Sequence, residues 1–252
     1  SGGTNTVEGG ATGGTLHVES GGIGFEFTGS GTPNITLNSD NTAAGRMLLE
    51  GKLSVASGYT GTGATITSGG SGSIAGYIDL GAGTRTFEIN DSAAAASDLT
   101  ISAVITNGGI TKTGIGTLTL TGTNTYTGVT TINAGTLQAD VADVASTSGA
   151  LGNGGNITFT GGTLQYTANS AGSDYSSRIV NSTSAISVDT NNNNVTWAAS
   201  NWDQLVTTNT GGLTKEGLGT LTLQPAAGTW TGNAVAPTGT RTINGGTLEI
   251  DL

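Results

Sequence analysis

Gly108-Gly109-Ile110-Thr111-Lys112-Thr113-Gly114-Ile115-Gly116-Thr117-Leu118-Thr119-Leu120 recurs as Gly211-Gly212-Leu213-Thr214-Lys215-Glu216-Gly217-Leu218-Gly219-Thr220-Leu221-Thr222-Leu223. Lys112 and Lys215 hold the same place, and the substitutions between the copies conserve shape or fall at surface-type positions. The correspondence continues downstream. Thr125-Tyr126-Thr127-Gly128 aligns with Thr229-Trp230-Thr231-Gly232. Thr131-Ile132-Asn133-Ala134-Gly135-Thr136-Leu137 aligns with Thr242-Ile243-Asn244-Gly245-Gly246-Thr247-Leu248. Within each copy Leu alternates with Thr at a period of two, which sends Leu to one side of a strand and Thr to the other. Self-similarity at this spacing is the signature of a stacked architecture.

A shorter element, Gly-Thr-Leu opening an alternating run, starts at Gly14, Gly135, Gly162 and Gly246. Each copy follows another small residue: Gly13, Ala134, Gly161 and Gly245. A small-residue turn feeding the same strand marks equivalent corners of successive coils. Asn156-Ile157-Thr158-Phe159 and Thr247-Leu248-Glu249-Ile250 alternate in the same way. Gly and Thr disfavour helix, and Gly recurs too often for a long helix to survive. Ala93–Ala96 reads as one helical turn, and Asp140–Ser148 as a short helix or loop. Asn191–Asn194 reads as a loop tip in preference to a bulged corner.

None of these short runs can bury its Leu, Ile or Val side alone. Stacking them at about 4.8 Å places like residue over like and builds a continuous core. The expected fold is therefore all-β: one elongated β-solenoid over residues 1–252. At roughly 20–25 residues per coil it would make roughly ten to twelve coils and a rod on the order of 50–60 Å long. Residues 1–107 would form divergent N-terminal coils, 108–210 one full repeat and 211–252 a second, partial one.

Composition narrows the function. The 252 residues include 45 Gly, 3 Pro and no Cys, so redox chemistry and disulfide staples are excluded. Seven Lys plus Arg against 17 Asp plus Glu give a formal charge of −10. That argues against nucleic acid, whose phosphates need a basic face. No apolar run reaches the roughly 18 residues that span a bilayer, so no membrane insertion of this segment is expected. Beginning at Ser1 rather than Met, the sequence reads as a mature or excised segment.

The repeated residues resemble the autotransporter-associated β-strand repeat, also called the passenger-associated transport repeat. Gly108 to Leu137 follows the family pattern almost residue for residue, including Asn124-Thr125-Tyr126-Thr127-Gly128. Gly211 to Leu248 follows it with an insertion around Pro225–Pro237 and with Trp230 in the usual place of Tyr. Gly149-Ala150-Leu151-Gly152 through Gly162-Thr163-Leu164-Gln165-Tyr166 resembles the segment after the motif, and Arg85–Thr106 the strand pair before it. The resemblance implies a right-handed parallel β-helix in a secreted or surface-displayed bacterial protein. No membrane β-barrel with aromatic girdles follows in this sequence.

Groups for chemistry are sparse. His17 is the single histidine and sits at an outward strand position, which reads as solvated surface. One His and no Cys do not make a zinc site. Paired carboxylates could cleave a glycosidic bond; the candidates are Asp140 with Asp143, Asp91 with Asp98, and Glu249 with Asp251, each read first as ordinary surface. Gly152-Asn153-Gly154-Gly155-Asn156 lacks the Asp of a calcium nonapeptide repeat. The Gly-rich Ser68–Ser73 is followed by neither Lys nor helix, so it is no phosphate loop. Trp197 and Trp202 flank a loop and read as coil packing before sugar stacking, and Trp230 as structural. No catalytic, cofactor-binding or metal residue is assigned, and no cofactor is expected.

The leading expectation is a non-enzymatic structural or adhesive solenoid of a bacterial surface. Its partners would be surface glycans, host or cell-surface ligands, or further copies stacked end to end as a homo-oligomer or fibre. The first alternative is a carbohydrate-binding or carbohydrate-cleaving β-helix. The second is a binding module acting through the loop Asn169–Arg178 or Asn191–Asp203.

Overall fold

The computed structural model describes residues 4–7, 15–19, 24–40, 42–70, 74–144, 147–198, 205, 207–224 and 239–251. The chain begins with β1 (Thr4–Val7), β2 (Thr15–Val18), β3 (Phe25–Phe27), β4 (Asn34–Ser39), β5 (Arg46–Leu49) and β6 (Leu53–Val55). It continues with β7 (Ala64–Gly70), β8 (Tyr77–Asp79), β9 (Thr84–Ile89), β10 (Leu99–Ile101), β11 (Val104–Thr106), β12 (Gly109–Thr113) and β13 (Thr117–Leu120). Then come β14 (Thr130–Ile132), β15 (Thr136–Ala139), β16 (Ile157–Phe159), β17 (Thr163–Gln165), β18 (Ile186–Asp189) and β19 (Val195–Trp197). The last strands are β20 (Leu213–Glu216), β21 (Thr220–Leu223), β22 (Arg241–Ile243) and β23 (Thr247–Ile250), and a three-residue 3-10 turn occupies Ser176–Arg178.

These strands stack in four parallel sheets. A ten-stranded sheet runs β1-β4-β7-β10-β13-β15-β17-β18-β20-β22. A six-stranded sheet runs β16-β14-β12-β9-β6-β3, a four-stranded one β11-β8-β5-β2, and a three-stranded one β19-β21-β23. The result is a right-handed-type parallel β-solenoid of about eight turns. The count of ten to twelve coils is not confirmed, because coil length is not uniform. Paired residues Asn34 and Thr65 lie 31 positions apart near the N-terminus, whereas Thr119 and Gln138 lie 19 apart in the first repeat.

Packing follows from the alternation. Leu99, Leu118, Leu137, Leu164 and Val188 lie in register on consecutive rungs, and all are fully buried. Burying one such side chain contributes about 1.5–3 kcal/mol, and the stack repeats it rung after rung. The opposite face carries a polar ladder. Thr119 Oγ1 donates to Gln138 Oε1 at 3.1 Å, Gln138 Nε2 to Gln165 Oε1 at 2.5 Å, and Gln165 Nε2 to Asp189 Oδ2 at 2.7 Å.

Beyond β11 the third side of the coil is continued by residues 124–126 and 149–153, tied through buried Asn124. Its Oδ1 accepts from Ile105 N at 2.8 Å, and its Nδ2 donates to Ala150 O at 2.8 Å. Asn209 repeats the device, accepting from Ser182 N at 2.8 Å and donating to Ile179 O at 3.0 Å.

The two long repeats do not occupy the same sides. In the first copy β12 lies in the six-stranded sheet and β13 in the ten-stranded one. In the second copy β20 lies in the ten-stranded sheet and β21 in the three-stranded one. The handover occurs where β17 pairs with β18. The glycine pair entering each copy registers the shift: Gly108 has φ +76° in the first, but Gly212, the other member, has φ +86° in the second. Only glycine takes these left-handed angles without strain.

Two local readings change, and a third resolves to one of its alternatives. Ala93–Ala96 forms no helix; Ala95 N closes a tight turn onto Ser92 O at 2.8 Å. The described part of Asp140–Ser148 is a loop pinched by an antiparallel bridge between Val144 and Ser148. Asn191–Asn194 is a coil corner rather than a loop tip. Asn191 and Asn192 take φ +48° and +65°, Asn192 N donates to Leu218 O, and Asn193 O accepts from Thr220 N on the next coil. Asn tolerates the left-handed region better than most residues, and Asn193 beside them closes the corner, its Nδ2 donating to Thr190 O and Asn191 O.

Candidate functional site

Lys112 and Lys215 are fully buried, a role beyond their repetition in the sequence. Period-two alternation puts each on the inner face: Lys112 stacks between Phe87 and Ile132, and Lys215 between Val188 and Ile243. An ammonium has three donors, and three backbone carbonyls take them. Lys112 Nζ donates to Thr113 O at 2.9 Å, Gly114 O at 2.9 Å and Ala134 O at 3.1 Å. Lys215 Nζ donates to Glu216 O at 2.6 Å, Gly217 O at 2.7 Å and Gly245 O at 3.3 Å. Two of each set belong to the lysine's own corner and the third to the corner of the next coil. Burial pulls the Lys112 ammonium down to about 8, against the opposing pull of Asp98. Lys215 is lowered by burial too, with Asp189 and Glu216 opposing. These lysines are internal staples closed to a substrate.

The chemistry open to solvent gathers on another side. A cavity of about 350 Å³ is lined by Asp143, Val144, Gly152, Gly154, Asp174, Ser177 and Arg178. Beneath it lie four fully buried aromatic residues, Tyr126, Tyr166, Tyr175 and Trp197. Tyr126 Oη is 2.8 Å from Thr130 Oγ1, and Trp197 Nε1 donates to Tyr166 Oη at 3.0 Å. The Arg178 guanidinium carbon stands 5.7 Å from the Tyr175 ring centre. Arg178 Nε donates to Gly155 O at 2.8 Å and Nη2 to Leu151 O, which fixes the guanidinium to the preceding coil. Burial pushes the Tyr126 phenol up to about 12 and raises Tyr166 and Tyr175 as well.

Asp143 is the least satisfied group here. Its Oδ1 is buried without a hydrogen bond, and its Oδ2 has only a 3.4 Å contact from Arg178 Nη1. Burial raises its carboxyl above the usual range, while Arg178 pulls it back. The Tyr175 hydroxyl is also buried without a well-formed hydrogen bond. Asp174, by contrast, is fully engaged: Oδ1 accepts from Ser176 N and Oγ, and Oδ2 from Ala198 N at 2.7 Å.

The other candidates separate. Asp140 Oδ1 accepts from Thr167 Oγ1 at 2.6 Å and Asn169 Nδ2 at 2.9 Å, on partners distinct from those of Asp143. Asp98 is buried and caps Ser92 N and Thr117 N, while Asp91 is exposed. Glu249 and Asp251 lie exposed at the last coil and accept from Thr222 and Gln224. His17 is exposed as expected and sits 2.6 Å from Glu50 Oε2. Trp197 is core and out of reach of a sugar; Trp202 and Trp230 lie outside the described residues, as do 71–73 of the Gly-rich stretch. Of the loop Asn169–Arg178, residues Asp174, Ser177 and Arg178 reach the cavity wall. Of Asn191–Asp203, residues 199–203 lie outside the described residues. Among the described residues no three metal-ligating side chains cluster, and no helix is long and apolar enough to cross a membrane.

Comparison with known proteins bears on the same coils. The passenger-associated-transport-repeat family matches residues 110–139 and 213–250. The protein called adhesin BmaC autotransporter, from Brucella suis biovar 1, is 29% identical over 243 residues, 90% of this chain. The chain spans only about 6% of that relative's length. No solved structure matches the chain significantly.

Proposed function

We propose that this chain, which carries two passenger-associated transport repeats, is a non-enzymatic stretch of a bacterial surface solenoid with an adhesive or structural role. The observation that carries the reading is the staple-bearing repeat corner built twice into one parallel stack, together with likeness to an adhesin along nearly the whole chain. Such a stack holds length and stiffness from rung-to-rung bonds alone. Its net charge of −10 keeps an extended surface soluble. The test is attachment. Beads coated with the chain should bind cells or extracellular matrix above beads coated with an unrelated acidic solenoid. Equal retention of the two bead types would remove the adhesive role and leave the structural one.

End-to-end contact belongs to the same reading. Among the described residues β22 and β23 are the last strands of their sheets, and Ile243 and Ile250 on them are 54% and 41% exposed. A strand edge with apolar flanks takes another strand. In a longer protein the next coil fills that place, and in the isolated chain a second copy does so. Electron microscopy at high concentration is expected to show end-joined rods; uniformly single particles would argue against the self-joining.

A further inference from the structure

The cavity lined by Asp143, Val144, Gly152, Gly154, Asp174, Ser177 and Arg178 combines features that together choose a ligand. Its wall holds one under-bonded carboxylate, one guanidinium and one exposed aliphatic side chain, Val144. At about 350 Å³ it falls at the small end of ligand pockets, which run from about 300 to 1,000 Å³. An anionic ligand would meet Asp143 and Asp174. A cationic ligand would meet Arg178, held rigidly by Leu151 O and Gly155 O. A neutral molecule bearing adjacent hydroxyls meets neither penalty. One hydroxyl can donate to Asp143 Oδ2, whose single contact is the long one to Arg178. Its neighbour can accept from the guanidinium, and the carbon skeleton can lie on Val144.

The pocket is also built rather than incidental. Gly149 packs against Asp143 so closely that any side chain there would displace the carboxylate Oδ1. Asp174, in the cavity wall, is held in place by Ser176 and Ala198, whose groups donate to both of its oxygens. Ser173 Oγ accepts from Asp143 N at 2.9 Å and fixes the backbone that presents the acid.

We infer that this cavity is a binding site for one neutral hexose unit of a surface glycan, with Asp143 as hydroxyl acceptor and Arg178 as hydroxyl donor. The inference rests on the surface-adhesive reading for its biological use, while its geometry stands apart from that reading.

The test uses the full 252-residue chain and ligand-observed NMR with free glucose, galactose and mannose, alongside glucosamine and glucuronate. At least one neutral hexose is expected to bind with a Kd of about 1–10 mM, tighter than either charged sugar. Ser177→Trp fills the mouth from an exposed position and should abolish binding with the far-UV circular dichroism unchanged. Asp143→Asn should weaken it about tenfold. The proposal is overturned by absence of binding of all three neutral hexoses at about 50 mM. Binding that survives Ser177→Trp, or preference for a charged sugar, overturns it equally. Hexose binding without cell attachment would sink the adhesive reading and spare the pocket; attachment without hexose binding would do the reverse.

Discussion

The corner at Lys112 and the corner at Lys215 have the same anatomy and different addresses. Each has a buried ammonium on three carbonyls, a left-handed glycine next to it (Gly114 at φ +73°, Gly217 at φ +64°), and an exposed aliphatic tip at Ile115 or Leu218. Yet the first joins the six-stranded to the ten-stranded sheet, and the second joins the ten-stranded to the three-stranded one. The repeat therefore encodes a corner and its staple to the next coil, and says nothing about which side of the rod it occupies. The side is chosen by the intervening coils, where β17 hands over to β18 above the Tyr126, Tyr166, Tyr175 and Trp197 cluster.

The largest break in this comparison should come from Lys112→Ala. It leaves carbonyls of two coils without their donor and opens a cavity between Phe87 and Ile132. A loss of about 3 kcal/mol is expected. Urea denaturation measures it, and amide exchange at residues 113–135 should rise with it. An effect below about 1 kcal/mol would mean the staple is dispensable.

Next comes Trp197→Phe, which attacks the segment between the copies. The Tyr166 hydroxyl loses its 3.0 Å donor and the core loses volume, for about 2 kcal/mol. Exchange should rise around β18 and β19 and stay unchanged at Lys112. Loosening at Lys112 instead would show that the two corners are not independent.

Lys215→Ala should cost less than Lys112→Ala, about 1–2 kcal/mol. Its third bond is longer, 3.3 Å, and its next-coil partner lies on a terminal rung where Ile243 is already exposed. Equal losses at the two lysines would erase the distinction between an inner and an outer corner.

A further effect is in pH. Lys112 titrates at about 8 in the fold, against 10.5 when unperturbed. Between those values the unfolded chain binds the extra proton, so stability rises with pH across that window. Lys112→Met should flatten the rise when urea midpoints are compared at pH 7.5 and about 10. A wild-type midpoint that falls over this range more steeply than that of the variant would contradict it.

Much of this was legible in the residues. The Leu-Thr alternation at Thr117–Leu120 and Thr220–Leu223 named the strands, and Gly161-Gly162-Thr163-Leu164 placed a corner that the fold contains. The lysine staples left a readable trace, because Lys112 shares its strand face with Ile110 and Lys215 with Leu213. Repetition of a charge on an apolar face is a stronger sign than repetition alone. Coil number was not legible, since strand pairing fixes spacing along the axis but not the length of chain between rungs. The Asn191–Asn194 corner was missed because Asn runs serve loops and left-handed corners alike.

The sequence singled out Asp143 and the loop Asn169–Arg178 separately, but nothing in it joined them into one cavity. Asp143 and Arg178 are 35 positions apart, and neither lies in a segment that the repeat family matches. Their meeting depends on which coil rests on which, and on a loop length no periodicity predicts.

The sequence by itself determined the strand, the corner and the rule that like stacks on like, because these follow from a two-residue period and from glycine at turns. Only the tertiary structure decided which side each repeat faces, where the lysine charges go and which distant acid meets which base. Those depend on how successive coils are phased around the axis, and phase is a property of the whole stack.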